Sequence, residues 1–315
     1  MQNKMIKPMK YKGKNKHDNY FEGWYYKCVS KDKLTTLSFI PGISKNKINP
    51  HAFIQVIYND RINIKTDYLR FDINDFSYDY KENILSIKNN QFSLESLSID
   101  YESKDLLVKG KVFLKNLQPI TSNIFSPSIM GFFEYFPFME CNHDVVSMSH
   151  QLSGEIRIDE RVINFDNGKG YIEKDYGKSF PSSYVWIQSN HFEDEESSFM
   201  FSYAKIPYLG LKFNGFLTNL IYHNKEYRFA TYNFSKIEII KKEEHSVVFE
   251  IRKGKYKLII TAKNSDTTLL AAPKEGAMDH LIKEGLSGQV EIVLYKNKEL
   301  IYSDIGKSAG IEIMI

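Results

Sequence analysis

Cysteine is scarce in this 315-residue chain, because only Cys28 and Cys141 are present. Two cysteines cannot build the disulfide framework of a small secreted protein, so a reduced, cytoplasmic protein is expected. Neither sign of charge is in excess, since 42 lysines and arginines stand against 39 aspartates and glutamates. A net charge of +3 is too small to indicate a protein that binds nucleic acid.

Long hydrophobic runs are absent as well. No stretch of about 18 apolar residues occurs, so we expect no membrane-spanning helix. The basic residues near the start are followed by polar ones, so we expect no signal peptide. The chain contains no nucleophile elbow, phosphate loop or dinucleotide-binding glycine pattern. His143, His150 and Cys141 lack the spacing of metal ligands, so no metal site is expected.

Aromatic and β-branched residues, by contrast, are abundant, and they occur in short segments separated by Asn, Asp, Lys and Gly turns. This spacing predicts an all-β protein, an antiparallel sandwich or barrel with little helix. The predicted strands cover 34–40, 51–58, 92–101, 106–114, 145–158, 184–192, 198–206, 213–223, 235–242, 246–253 and 255–263. Only residues 276–286 suggest a helical turn or two.

The stretch 116–144 differs from the rest because it contains three prolines and no alternating pattern. Its large rings are Phe132, Phe133, Tyr135, Phe136 and Phe138. A mobile linker rarely carries so many apolar rings, so we predict a connector packed at a barrel mouth or a domain seam. It would join an N-terminal β domain, 1–140, to a C-terminal one, 141–315. The alternative is a loop that dips into a membrane surface.

The stretch GKGYIEKDYGKSFP, 168–181, sets opposite charges side by side. In a strand, Tyr171, Glu173 and Asp175 share one face, and Lys174 lies on the other. Two carboxylates about 7 Å apart on a buried face do not both ionise readily, so the pKa of one should rise and make it a general acid. Lys174 would instead hold a carboxylate ionised as a base. The alternative is a surface strand with solvated charges.

Two further segments have one polar face set among aromatic rings. In YFEGWYYKC, 20–28, Glu22 shares a strand face with Tyr20, Trp24 and Tyr26, which suggests a pocket wall whose rings stabilise a cation. The alternative is an edge-strand glutamate beside ordinary core rings.

In YVWIQSNHF, 184–192, the residues Tyr184, Trp186, Gln188 and Asn190 share a face. This face suits a cavity for an apolar ligand with a few polar anchors, or equally a solvent face. His51, which opens a strand after Asn49 and Pro50, is either a pocket residue or a turn residue.

Three segments together resemble the tocopherol cyclase family. YFEGWYYK resembles its F-E-G-W-Y-F-K opening, and GYIEKDYGKSFPSSYVWIQSNHF resembles its E-K-N-W-G block with the following W-x-W-x-Q-x-N. LLAAPKEGAMDHLIKEGLSGQVEIVLY, 269–295, is similar to a looser late segment. The matching positions are Glu22, Gly23, Trp24, Tyr25, Lys27, Glu173, Lys174, Gly177, Phe180, Pro181, Trp186, Gln188 and Asn190. Asp175 and Tyr176 depart from the family's Asn and Trp. The family's histidine falls at or next to Asn142, which makes His143 a register-shifted candidate only.

The resemblance implies two lipocalin-like β-barrels packed together and a reaction without a cofactor. In that reaction a proton adds to an isoprenoid double bond, and an oxygen of the same molecule, or water, captures the cation. The catalytic candidates are then Glu173, Asp175, Lys174 and Glu22. The substrate-binding candidates are Trp24, Tyr26, His51, Tyr171, Trp186, Gln188 and Asn190.

Two alternative functions use the same features. A non-catalytic carrier of a hydrophobic small molecule needs the aromatic cavity but no acid. A trafficking adaptor needs the aromatic connector for transient contact with a membrane surface or a partner. No nucleic-acid partner is expected in either case.

Overall fold

Alternating apolar residues dominate this chain, and a computed structural model shows that they form two large antiparallel sheets. The structure describes residues 7–137, 139–208 and 210–315. The predicted all-β class is confirmed. Within the described residues, no helix has the length and apolar character needed to cross a membrane.

The first sheet has twelve strands, in the order β4-β3-β2-β1-β12-β10-β9-β8-β7-β6-β5, with β11 paired to β10. Its strands are β1 Phe21–Val29, β2 Thr36–Ser44, β3 His51–Asn59, β4 Ile64–Phe71, β5 Phe76–Asp79, β6 Ile84–Ile87, β7 Asn90–Phe92, β8 Ser96–Glu102, β9 Leu107–Lys115, β10 Cys141–Ile158, β11 Arg161–Asn164 and β12 Lys169–Gly177. The segment 92–101, predicted as one strand, is therefore split between β7 and β8.

The second sheet has ten strands, in the order β16-β15-β14-β13-β22-β21-β19-β18-β17, with β20 paired to β21. Its strands are β13 Tyr184–Ser189, β14 Ser198–Tyr208, β15 Leu211–Tyr222, β16 Lys225–Ala230, β17 Lys236–Glu243, β18 Ser246–Lys253, β19 Tyr256–Lys263, β20 Thr268–Lys274, β21 Ala277–Lys296 and β22 Glu299–Met314. Short 3-10 helices occur at Gly13–Asn15, Ile73–Asp75, Gly131–Tyr135 and Thr231–Asn233.

The helical turn predicted over 276–286 is wrong, because residues 277–286 form part of β21. Met278, Ile282 and Leu286 recur every fourth residue and are all buried. A spacing of four fits one face of a helix, and it also fits one face of a strand because it is an even number.

The chain divides into two compact units that interleave in sequence. Unit 1 contains the stretch ending at Ile120 together with Glu140–Phe180 and Leu270–Leu281, and unit 2 contains Thr121–Met139, Pro181–Leu269 and Ile282–Ile315. This division differs from the predicted continuous domains 1–140 and 141–315. The difference arises because β10 and β12 pair with β9 and β1 of the first sheet.

Each unit has its own apolar core, built from alternate residues of its strands. In unit 1, Trp24, Tyr26 and Ile172 belong to this core, and in unit 2, Val185 and Ile187 do. The central strands of unit 1 are also buried on their second face, as shown by β3, in which all nine residues are buried. Polar side chains on that second face are therefore shielded from bulk water.

Three of the connector rings pack against other rings of unit 2, whereas their predicted place at a barrel mouth or a domain seam stays a prediction. Phe133 stacks on Phe213 with ring centroids 6.0 Å apart, and Phe132 meets Tyr232 edge-on at 6.0 Å. Phe136 lies 5.8 Å from the ring of Tyr208. Phe138 lies outside the described residues.

Candidate acid–base site

Strand β12 carries charged side chains on both of its faces, as the alternating sequence predicted. Glu173 and Lys174 are both buried, so a solvated surface strand is excluded. Because neighbouring residues of a strand point to opposite faces, these two charges enter different environments. Each face therefore forms a separate polar cluster.

The first cluster surrounds His143, which lies on β10 directly opposite Asp175 of β12. The His143 Nδ1 atom is 2.9 Å from the Asp175 carboxylate, and Nε2 is 3.5 Å from the Glu173 carboxylate. Tyr171 donates a 2.6 Å hydrogen bond from its hydroxyl to Glu173. We call Tyr171, Glu173, Asp175 and His143 the His143 cluster.

The charges of this cluster place a proton on the imidazole. Burial alone would lower the pKa of His143, but Asp175 and then Glu173 raise it, and the pKa reaches about 9. The imidazole is therefore protonated at neutral pH, between two carboxylates. Burial, followed by the charge of Glu173, raises the pKa of Tyr171 well above its ordinary value, so this hydroxyl remains a donor.

Cys141 lies beside the His143 cluster, with its sulfur 4.0 Å from the Asp175 carboxylate. Burial, and then the charge of Asp175, raises the pKa of the Cys141 thiol well above its ordinary value. A protonated thiol is a poor nucleophile. The cluster is therefore suited to moving protons rather than to covalent catalysis by cysteine.

Access to the cluster is partial. The side chain of His143 is 13% exposed and that of Asp175 is 23% exposed, whereas the side chain of Glu173 is 6% exposed. A molecule that reaches this face meets the imidazole and Asp175 first. Glu173 is held behind them by Tyr171.

The second cluster lies on the opposite face of β12 and serves the fold. Lys174 Nζ is 3.0 Å from Glu22 and 4.0 Å from Asp144, and it donates to the Lys10 carbonyl at 2.7 Å. The Glu22 carboxylate in turn accepts hydrogen bonds from the backbone N–H groups of Lys12 and Gly13 and from the hydroxyl of Tyr20. Glu22 and Lys174 thus fix residues 10–13, and the structure does not bring them together with Glu173 and Asp175.

Trp24 and Tyr26, predicted as walls that stabilise a substrate cation, are fully buried in the core of unit 1. The Trp24 indole donates to the Met9 carbonyl at 2.9 Å. The cation near its ring is the protein's own Lys174, whose Nζ lies 5.6 Å from the ring centroid. The Trp24 ring therefore makes a cation–π contact with a lysine of the protein itself.

His51 is buried at the start of β3, and both of its ring nitrogens are engaged. Nδ1 lies 2.8 Å from the Asn49 carbonyl, and Nε2 lies 2.8 Å from the Tyr68 hydroxyl. Burial lowers the pKa of His51, which favours the neutral ring. This histidine is suited to holding the turn at the start of β3.

The remaining candidates lie in unit 2. Trp186, Gln188 and Asn190 are buried, so a solvent face is excluded. Trp186 and Gln188 point away from the core that contains Val185 and Ile187. Tyr184 of the same face donates to Glu312 at 2.5 Å. Their predicted role in binding a substrate stays a prediction.

The side chains of His143, Glu173 and Asp175 are also a set that could hold a metal ion, since one ligand atom from each lies within 4.8 Å of the others. A metal ligand must be deprotonated, so an ion and the proton of His143 would compete for the same imidazole. With both ring nitrogens facing carboxylates, the geometry favours the proton.

Two antiparallel sheets and a partly exposed imidazole between two carboxylates define an all-β protein with an acid–base cluster. The chain belongs to the tocopherol cyclase-like family, whose model matches residues 111–314. It is 35% identical to the chloroplastic tocopherol cyclase of Zea mays over 65 residues, which are 21% of this chain and 14% of the maize protein.

Solved structures with the same fold are similar along nearly the whole chain. An AttH protein from Nitrosomonas europaea is 13% identical, with a TM-score of 0.55 over 92% of this chain and 91% of its own. Kievitone hydratase from Nectria haematococca is 12% identical, with a TM-score of 0.54 over 97% and 93%. CghA is 8% identical, with a TM-score of 0.59 over 93% and 88%. At these identities the likeness establishes the fold.

Proposed function

We propose that this protein is a cyclase or hydratase that starts its reaction by protonating an isoprenoid double bond. The observation that carries the proposal is the protonated His143 held between Asp175 and Glu173 on a partly exposed sheet face. Membership of the tocopherol cyclase-like family and similarity to a hydratase support the class of reaction.

The proposed step begins with transfer of the imidazolium proton to one carbon of the double bond. The π electrons form the new C–H bond, and the other carbon becomes a tertiary cation. An oxygen of the same molecule, or a water molecule, then donates an electron pair to form a C–O bond. The proton released from that oxygen returns to the imidazole, so His143 is regenerated.

The two carboxylates have a second use in this step. Once the proton has left, the neutral imidazole stands between two negative charges, and fixed negative charges stabilise a carbocation in a site that excludes water. The same carboxylates make His143 a weaker acid, so the proposed gain lies in stabilising the cation rather than in acid strength. Tyr171 keeps Glu173 oriented.

The proposal is tested with a prenylated hydroquinone as substrate in deuterated water. Protonation of a double bond predicts one deuterium on carbon in the product, measured by mass spectrometry. His143→Gln should lower turnover by about 100-fold or more, as expected when a general acid is removed. His150→Gln is the matched control, since His150 lies on the same strand and burial lowers its pKa to about 3.

The result also separates the enzyme from the carrier. A carrier binds the prenylated compound with no deuterium incorporated, and His143→Gln then leaves its affinity unchanged. An enzyme whose His143→Gln variant turns over like the unaltered protein would need another proton donor.

We also propose transient contact with a membrane surface, from which an isoprenoid substrate would be taken. Phe125 is 83% exposed and Phe234 is 92% exposed in unit 2, and Ile124 and Leu211 are also exposed. Exposed apolar side chains mark an interaction surface when they form one contiguous patch, which the proposal requires of these four. The test is flotation with phosphatidylcholine vesicles, in which Phe125→Asp combined with Phe234→Asp should remove binding and the exposed-charge variant Lys241→Ala should not.

A further inference from the structure

Asn219 of β15 is the most unusual polar residue of unit 2. Its side chain is fully buried, and neither its amide nitrogen nor its amide oxygen has a hydrogen-bond partner among the described residues. Buried polar groups normally form hydrogen bonds, because without one the free-energy cost of removing the group from water is not offset. Both ends of this amide therefore have unused hydrogen-bonding capacity.

The residues around Asn219 form a continuous face that points away from the core of unit 2. Asn219 pairs with Met200 on β14, and Met200 pairs with Gln188 on β13. Trp186 is two residues from Gln188 and therefore shares its face. Met200 and Gln188 are both fully buried, and Trp186 is nearly so. The thioether of Met200 thus lies between two amides, and the indole of Trp186 lies beside the second of them.

An arginine borders the same face, and its charge is paired with the carboxylate of Glu226. Arg228 of β16 pairs with Asn219, and its terminal nitrogens donate to Ser126 and to the Thr121 carbonyl. Its Nε atom is buried without a hydrogen-bond partner among the described residues. The guanidinium is fixed in place, and it leaves a donor beside Asn219.

We propose that this face binds an apolar molecule through one hydroxyl group, with the Asn219 amide as the polar anchor. The hydroxyl oxygen accepts from the amide nitrogen of Asn219, or the hydroxyl group donates to its amide oxygen. Trp186 and Met200 contact the apolar body. The choice of an isoprenoid body rests on the proposed function, whereas the role of the amide does not.

Thr218 provides a matched control. It is the neighbour of Asn219, is equally buried, and has a hydroxyl without a partner among the described residues. Because it is the next residue of the strand, it points to the opposite face, among residues such as Phe201 and Phe229 that pair with it. A change at Thr218 perturbs the core and leaves the proposed binding face intact.

The experiment compares farnesol with farnesene, which lacks the hydroxyl, by isothermal titration calorimetry on the full chain. The unaltered protein should bind farnesol about 10-fold or more tightly than farnesene, because sites built to bond a hydroxyl reject analogues that lack it. Asn219→Leu should remove this preference and leave the affinity for farnesene unchanged. Thr218→Val should keep the preference.

Two results would overturn the inference. The first is an unaltered protein that binds both compounds equally or binds neither, which needs no variant to interpret. The second is an Asn219→Leu protein that still prefers farnesol, in which case the amide holds only water. His143→Gln should keep the preference for farnesol, so failure of the proposed reaction and failure of this binding face give different results.

Discussion

Replacing Asp175 with asparagine should lower the pKa of His143 and change how stability depends on pH. Asp175 is the largest influence that raises the pKa of His143 from its ordinary 6.5 to about 9, while burial opposes it. A shift of this size corresponds to about 3 kcal/mol in favour of the charged ring. In Asp175→Asn, the lowering of the pKa by burial is no longer opposed by Asp175. At pH 8 the His143 ring should then be mostly neutral.

The direction of the pH effect follows from the raised pKa. A group whose pKa is higher in the folded than in the unfolded chain binds its proton more tightly when folded. The stabilisation is complete below about pH 6.5 and is lost as the pH rises through about 9. Between these two pH values, the free energy of unfolding of the unaltered protein should fall by up to about 3 kcal/mol more than that of a His143→Gln variant.

Two measurements test this reasoning. The pKa is read from the Cε1–H resonance of His143, assigned as the signal that is missing from His143→Gln. The free energy of unfolding is measured in denaturant at pH 6, 8 and 10 for the unaltered protein and for both variants. A difference between the unaltered protein and His143→Gln that stays constant from pH 6 to 10 would refute the placement of the proton on His143.

Three further changes probe the two faces of β12. Lys174→Met should lower the free energy of unfolding in denaturant by about 3–5 kcal/mol, because Glu22 is left buried without its cation. The control is the exposed pair of Lys241 with Glu243, where Lys241→Met should lower it by less than about 1 kcal/mol. Tyr171→Phe removes the donor to Glu173 and should lower kcat about 10-fold with little change in KM, and an unchanged kcat would show that Glu173 needs no such support. Gly170→Ala places a methyl group 2.2 Å from His150 Nε2 and should lower the free energy of unfolding by about 1–3 kcal/mol, read as a lower melting temperature. Gly23→Ala, whose methyl group would have its nearest neighbour 3.5 Å away, should not lower it.

The sequence was sufficient for the class of fold and for the periodicity of the site. Alternation over 168–181 correctly separated Glu173 from Lys174, because strand geometry depends only on whether two residues are an even or an odd number apart. Short strands with weak alternation were missed, such as β5 and β6 of the first sheet. The long β22 was also missed because polar residues and glycines interrupt its apolar pattern.

The role of His143 depended on pairing that the sequence does not contain. His143 lies opposite Asp175 only because β10 pairs with β12, and β10 changes register twice, between Val145 and Ser147 and between Ser147 and His150. A bulge changes which residues share a face, and no local pattern marks these two. The sequence therefore offered His143 only as a displaced candidate and assigned the acid to a carboxyl.

Glu22 shows the converse difficulty. Its aromatic neighbours Tyr20, Trp24 and Tyr26 have the composition of a pocket wall, but the same composition also suits a core that contains one charge. The deciding facts are long-range: Lys174 from β12 and the N–H groups of Lys12 and Gly13 occupy the carboxylate. A carboxylate whose oxygens are taken up by the protein's own donors is not placed to act on a substrate.

The aspartate at position 175 is the departure from the family motif with the largest chemical consequence. An asparagine there could still bond the imidazole, but it would contribute no charge to hold the proton on His143 against burial. With Asp175 the cluster holds two carboxylates and one proton-carrying ring, so proton transfer leaves a doubly negative face beside any cation that forms. Asp175→Asn therefore has two effects on the proposed reaction: it lowers the pKa of His143, and it stabilises the cation less. If turnover rises in this variant, cation stabilisation by Asp175 is wrong, and the acid strength of His143 limits the rate.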